Sequence, residues 1–172
     1  MSFFEKNKMQ NFEKAKKIFY ANSGSHFYMW QNGVITEYEK YKVPKSIENM
    51  WINDIKNSIL AKIKLSNNHQ KVILVNSYVH LLDNISAIEF LINTLDEYCG
   101  DTLSFIILIE NLKQFYNNAN NDLKEKIESK IKKYKYEVLN KEIVIDDYYK
   151  TLSYMQDYDF SLEGIRERIN KL

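Results

Sequence analysis

Four glycines and one proline punctuate this 172-residue chain, and three of those five, Gly24, Gly33 and Pro44, fall in one short stretch. Glycine and proline are the strongest local interrupters of regular structure. A chain that concentrates them in one place leaves the remainder with little to stop helix growth except polar caps and loops. The interruption runs from Ser23 to Trp51, SGSHFYMWQNGVITEYEKYKVPKSIENMW, and carries both tryptophans, Trp30 and Trp51. The rest of the chain, C-terminal to it, reads as a run of helices. Any specific site is therefore expected inside this stretch.

Apolar spacing supports that division. Met9, Phe12, Ala15 and Phe19 share one face of a helix over 5–21, with Gly24 as its stop. Pro44 opens a second helix, along which Ile47, Trp51, Ile55, Ile59 and Ile63 recur every four residues, joined by Met50 and Leu60. Residues 71–82, KVILVNSYVHLL, are apolar on nearly all sides. Val72, Ile73 and Val75 would suit a buried strand, whereas the length of the run favours a central helix. Asp83 or Asn84 caps a helix through Tyr98, and Asp101 or Thr102 caps another through Tyr116. Leu123, Ile127, Ile131, Tyr134 and Val138 line an otherwise charged helix. Asp146 is expected to cap a helix through Gln156. Ser161 should cap the last, with Leu162, Ile165, Ile169 and Leu172 facing inward.

Between the first two helices the sequence offers two structures. Asn32-Gly33 is a strong signal for a two-residue β-hairpin turn. A hairpin over 26–38 would set Trp30 opposite Ile35 and Tyr28 opposite Glu37, with aromatic residues on both faces. The alternative makes Thr36 to Lys42 a helical turn, with Gly33 breaking the chain. The turn signal puts the hairpin ahead. The expected fold is thus all-α, with one small hairpin near 26–38. It is a single helical domain over 1–172, an irregular antiparallel bundle whose short helices from about 69 to 139 pair in HEAT-like, solenoid-like hairpins. No Gly-, Pro- or Ser-rich linker suggests an internal boundary.

The formal charge is +1, with acids and bases interleaved. This argues against a dedicated nucleic-acid binder, which carries a basic excess on one face. The longest apolar run, Phe105 to Ile109, is far below the ~18 residues of a membrane span. The opening MSFFEKNKMQNFEK lacks the apolar core of a secretion signal. Cys99 is a lone cysteine. Together these lead to a cytoplasmic expectation. Lysine, asparagine, isoleucine and tyrosine abound, and Arg166 and Arg168 are the only arginines, a bias of AT-rich, bacterial genomes.

Residues that carry chemistry are sparse. His26, His69 and His80 are too scattered for a metal site, and neither metal nor cofactor is expected. Asp157, Asp159 and Ser161 open like a calcium loop, but Leu162 stands where glycine is needed and Arg168 where a bidentate glutamate is needed. Capping accounts for them, as it does for Asp146-Asp147. Cys99 has no activating motif. Lys126, Lys130 and Lys133 share one helix face and form the best basic patch, diluted by Glu125, Glu128 and Glu137. His26, beside Ser25 in the irregular stretch, is the histidine that is a candidate base or ligand.

Gly24-Ser25-His26, Met29, Gly33, Tyr38, Tyr41, Pro44 and Trp51 together resemble the N-terminal region of small uncharacterised helical proteins of low-GC Gram-positive bacteria. The resemblance covers about a fifth of the chain. It implies a bacterial, cytoplasmic protein and no particular activity.

The leading expectation is a non-catalytic protein-interaction or regulatory protein that meets an unknown protein partner through Tyr28, Trp30, Tyr38 and Tyr41, because aromatic side chains dominate interface energetics. Two alternatives are a nucleic-acid accessory protein using the lysine face, and a small hydrolase centred on His26.

Overall fold

The computed structural model describes the backbone of residues 3–172 and the side chains of 12–153 and 155–172. The fold is all-α. Among the described residues nine α-helices run α1 Phe3–Ala21, α2 His26–Gln31, α3 Ile35–Glu39, α4 Lys45–Leu65, α5 Asn68–Val79, α6 Asn84–Asp96, α7 Thr102–Gln114, α8 Asn121–Leu139 and α9 Leu162–Lys171. Short 3-10 helices occupy Tyr116–Asn118, Asp147–Thr151 and Ser153–Met155. No described helix is long and apolar enough to cross a membrane.

The expected β-hairpin over 26–38 is absent, and two short helices stand in its place. Ser25 caps α2, its hydroxyl accepting from Tyr28 N–H. Asn32-Gly33 then ends that helix instead of turning a hairpin. Gly33 sits at φ +71°, Gly33 N–H bonds to the Trp30 carbonyl and Val34 N–H to the Met29 carbonyl. This paired pattern is the Schellman helix end, which needs the same positive φ as a hairpin turn. α1 ends in a related way. Ser23 takes the left-handed conformation, at φ 52°, and the Gly24 N–H reaches the Phe19 carbonyl.

The backbone divides into two compact units, Met1–Ala61 and Lys62–Leu172. The division falls inside α4, so no linker composition marks it. In the first unit Ala15, Phe19, Met29, Tyr38, Trp51 and Ile55 are buried. Phe19 is the hub, with its ring 5.7 Å from that of Tyr38 and 5.5 Å from that of Trp51. Met50, expected to join the α4 stripe, is exposed. Met9 lies outside the described side chains.

In the second unit α7 is the central helix. Leu103, Ser104, Ile106, Leu108, Ile109 and Leu112 are fully buried, and α5, α6 and α8 pack around it. Residues 71–82 were the expected centre. Residues 71–79 are helical as part of α5 and 80–82 turn out of it, but α5 buries only one side, and Ile73 is exposed. One helix ringed by three others is a bundle. A solenoid would have each hairpin touch only its neighbours. The expected inward set of α9 also changes, since Ile165 and Ile169 are buried and Leu162 is exposed.

The capping predictions locate the helix starts. Asp83 accepts from Ser86 N–H, Asp101 from Ser104 N–H and Ser161 from Gly164 N–H. Asp146 caps too, accepting from Tyr148 N–H, but the segment it opens is two 3-10 turns, not one helix.

Candidate interaction site

α2 is six residues long, and its two sides differ sharply. Met29 is fully buried, which fixes that side against the first unit's core. The neighbouring positions hold Phe27 at 63% exposure, Tyr28 at 43% and Trp30 at 68%. In a helix, residues three apart lie on one face. Phe27 and Trp30 accordingly meet, with ring centroids 6.2 Å apart, and Tyr28 flanks Phe27 at 5.8 Å. Three large aromatic side chains form one exposed face on a short helix.

A buried carboxylate anchors this face from beneath. Glu48 of α4 is only 5% exposed. Its Oε1 accepts from Tyr38 Oη of α3 at 2.7 Å and lies 3.0 Å from His26 Nε2 of α2. Its Oε2 accepts from Lys45 Nζ at 3.0 Å. A buried carboxylate is costly unless its oxygens find donors. Here the donors come from α2, α3 and the start of α4, so satisfying Glu48 also fixes where those elements lie. Burial alone would raise the Glu48 pKa. The bonds from Tyr38, Lys45 and His26 outweigh that, and the carboxyl group titrates below its usual value. Burial, followed by the bond to Glu48, drives the Tyr38 phenol well above its ordinary range.

The rings reinforce this arrangement. His26 stands edge-on to Tyr38 at 5.5 Å and to Phe19 at 6.4 Å. Asn32, which caps the end of α2, donates from Nδ2 to Asn22 Oδ1 at 2.8 Å. α2 is thus tied down at both ends, and its exposed aromatics are presented on a held backbone.

The four expected partner-binding aromatics separate. Tyr28 and Trp30 are exposed together. Tyr41 is half-buried, and Tyr38, 3% exposed, is a core residue bonded to Glu48 that cannot lie on a docking surface. Phe27 and Glu48 were missed. Ser25 could have signalled Phe27, because a helix starting at that cap brings Phe27 and Trp30 onto one face. Glu48 sits at helical spacing from Trp51 and Ile55, on the buried stripe itself.

The expected lysine patch is largely paired. Lys130 and Lys133 converge on Asp96 of α6, at 2.6 and 2.9 Å, and Tyr134 Oη donates to the same carboxylate at 3.1 Å. Lys126 is the member of the three that carries no ion pair among the described residues. No group of three or more His, Cys, Asp or Glu among the described residues is placed to hold a metal ion.

No protein-family model matches the chain, and no curated protein or solved structure is significantly similar to it.

Proposed function

We propose that this chain is a non-catalytic interaction or regulatory protein that receives a partner protein on the aromatic face of α2. The observation that carries this reading is the joint exposure of Phe27, Tyr28 and Trp30 on a helix whose other large apolar residue, Met29, is fully buried. Exposed contiguous apolar groups on a folded surface mark interaction sites. Large aromatics are the residues whose truncation costs most at interfaces. A held helix adds to this, because less conformational freedom remains to be lost on binding.

Affinity copurification from host cells should compare the wild type with a Phe27→Ala/Trp30→Ala variant, and the recovered partner should then be titrated as a purified protein. The reading expects a direct complex that the double variant weakens at least about tenfold, the scale of one hot-spot residue. Equal binding by both proteins would remove this surface.

A second reading, a small hydrolase, has one observation behind it. His26 Nε2 lies 3.0 Å from Glu48 Oε1, the pairing by which a carboxylate orients a catalytic imidazole. Turnover of ester or phosphoester substrates that disappears in His26→Ala would favour it over the interaction reading.

A further inference from the structure

The second unit contains a cavity of about 420 Å³ at the end of the bundle where α5 and α7 finish and α6 begins. Its size falls within the roughly 300–1,000 Å³ of small-molecule sites. Its lining is chemically narrow. α5 contributes Asn76 and, at its C-cap, His80, α6 contributes Asn84, and α7 contributes Asn111 and Gln114. Asn118 adds a fifth carboxamide, while Val79 and Phe115 supply an apolar wall. Among the described residues no Asp, Glu, Lys or Arg lines it.

We infer that this cavity is a binding site for a neutral, hydroxyl-rich ligand of the pyranoside class. Donor and acceptor groups in the lining match those of such a ligand. A carboxamide presents an acceptor oxygen and a two-proton donor in one plane. Neighbouring sugar hydroxyls each donate and accept, so one carboxamide can bond two of them. Asn111 already donates from Nδ2 to Asn76 Oδ1 across α5 and α7. That bond uses one amide proton of Asn111 and the oxygen of Asn76, so the Asn111 oxygen and the Asn76 amide nitrogen keep their capacity to accept and to donate. Asn84 and Gln114 are both exposed, where they can close on a ligand from the rim. Phe115 and Val79 suit the C–H face of a sugar ring, whose weakly positive hydrogens meet the negative face of an aromatic ring.

The absence of Asp, Glu, Lys and Arg from the lining selects against other ligands. A phosphate or carboxylate would lose its water without gaining a lysine or arginine, which is unfavourable. A cationic ligand meets the same penalty in reverse. This site shares no residue with the α2 face, so the two readings stand or fall separately.

Saturation-transfer NMR on the full chain tests it, with methyl glucoside, galactoside, mannoside and N-acetylglucosaminide and the corresponding disaccharides as probes. At least one neutral glycoside should receive saturation on its ring C–H protons. Removing two rim carboxamides with Asn84→Ala/Gln114→Ala should weaken that binding about tenfold, since each lost hydrogen bond is worth a factor of a few. Both positions are exposed, so the variant keeps its fold, as far-UV circular dichroism will show. Asn111→Asp, which puts a carboxylate in place of a carboxamide, should weaken binding as well. Phe27→Ala/Trp30→Ala should leave it unchanged. The proposal is overturned if no glycoside in the panel binds, if the rim double variant binds as well as the wild type, or if a sugar 6-phosphate binds more tightly than its neutral parent.

Discussion

Tyr38 and Glu48, ten residues apart, form a buried 2.7 Å hydrogen bond that joins α3 to α4. The phenol is 3% exposed and the glutamate 5%. One oxygen of a buried carboxylate therefore holds a turn of helix that would be marginal by itself, because a helix of five residues has too few internal bonds to offset its nucleation. Tyr38→Phe keeps the ring in place and removes only the donor. The expected loss is about 1–3 kcal/mol, the range for a bond to a charged buried group, read from urea unfolding. A variant as stable as the wild type would show that Lys45 and His26 satisfy Glu48 without Tyr38.

The two tryptophans should report separately on the first unit. Trp30 is exposed, whereas Trp51 is buried against Phe19. Acrylamide quenching of the wild type should resolve an accessible and a protected component. Trp30→Phe should abolish the accessible component and change stability by less than about 0.5 kcal/mol, as surface substitutions do. Loss of the protected component instead would place α2 the other way round.

Truncation on the opposite side of α2 should behave differently. Met29 is fully buried, and Met29→Ala should cost about 2–5 kcal/mol through lost packing and the cavity left behind. A thermal melt indistinguishable from that of Trp30→Ala would contradict the two-sided character of the helix.

Gly33 makes a conformational test. A Cβ there would meet no atom within 4 Å, so an alanine suffers no steric clash, only the strain of φ +71°. Gly33→Ala should therefore destabilise by about 1–2 kcal/mol, and Gly33→Asn by less, because asparagine tolerates the left-handed region better. Equal effects would mean that the residue does not hold this helix end.

Acid sensitivity should centre on Asp96. The bond from Lys130 comes first among the causes that lower its pKa from an ordinary 3.8 to about 2, ahead of the opposing effect of burial and the further bonds from Lys133 and Tyr134. A folded pKa below the unfolded value means stability that is fully present above about pH 4 and lost as the pH falls towards about 2. The pair is partly solvated, so its contribution is about 1 kcal/mol. Asp96→Asn should remove that much at neutral pH and flatten the stability profile between about pH 4 and 2. Parallel profiles for the two proteins would assign the acid sensitivity elsewhere.

Local signals in the sequence were legible where one residue answers to its immediate neighbours. Asp83, Asp101 and Ser161 each begin a helix because a short polar side chain reaches a backbone N–H three residues on. The apolar stripes of α4 and α8 were legible for a related reason, since helical spacing alone puts Trp51 beside Ile55 and Ile127 beside Ile131. Asn32-Gly33 was not decidable in the same way. A hairpin turn and a Schellman end both require positive φ at that glycine, so the dipeptide fits either.

The site was legible only in part for the same physical reason. Tyr28 and Trp30 lie on an exposed face and Tyr38 in the core, yet nothing local distinguishes three aromatic residues within one short stretch. The distinction comes from Glu48, which draws the Tyr38 hydroxyl inward from ten residues away. The lysine face shows the same limit, because Asp96, which takes up Lys130 and Lys133, lies on another helix.

The sequence by itself determined that this chain is helical, where most of its helices begin, and which faces of them are apolar. These outcomes come from propensity, capping and spacing, all of which act over a few residues. Only the tertiary structure decided that α7 rather than α5 is central, that 26–38 is two helical turns, and that Glu48 is the anchor beneath an exposed aromatic face. Those outcomes depend on which distant groups share one dry interior, where a buried carboxylate must find its donors wherever the fold can supply them.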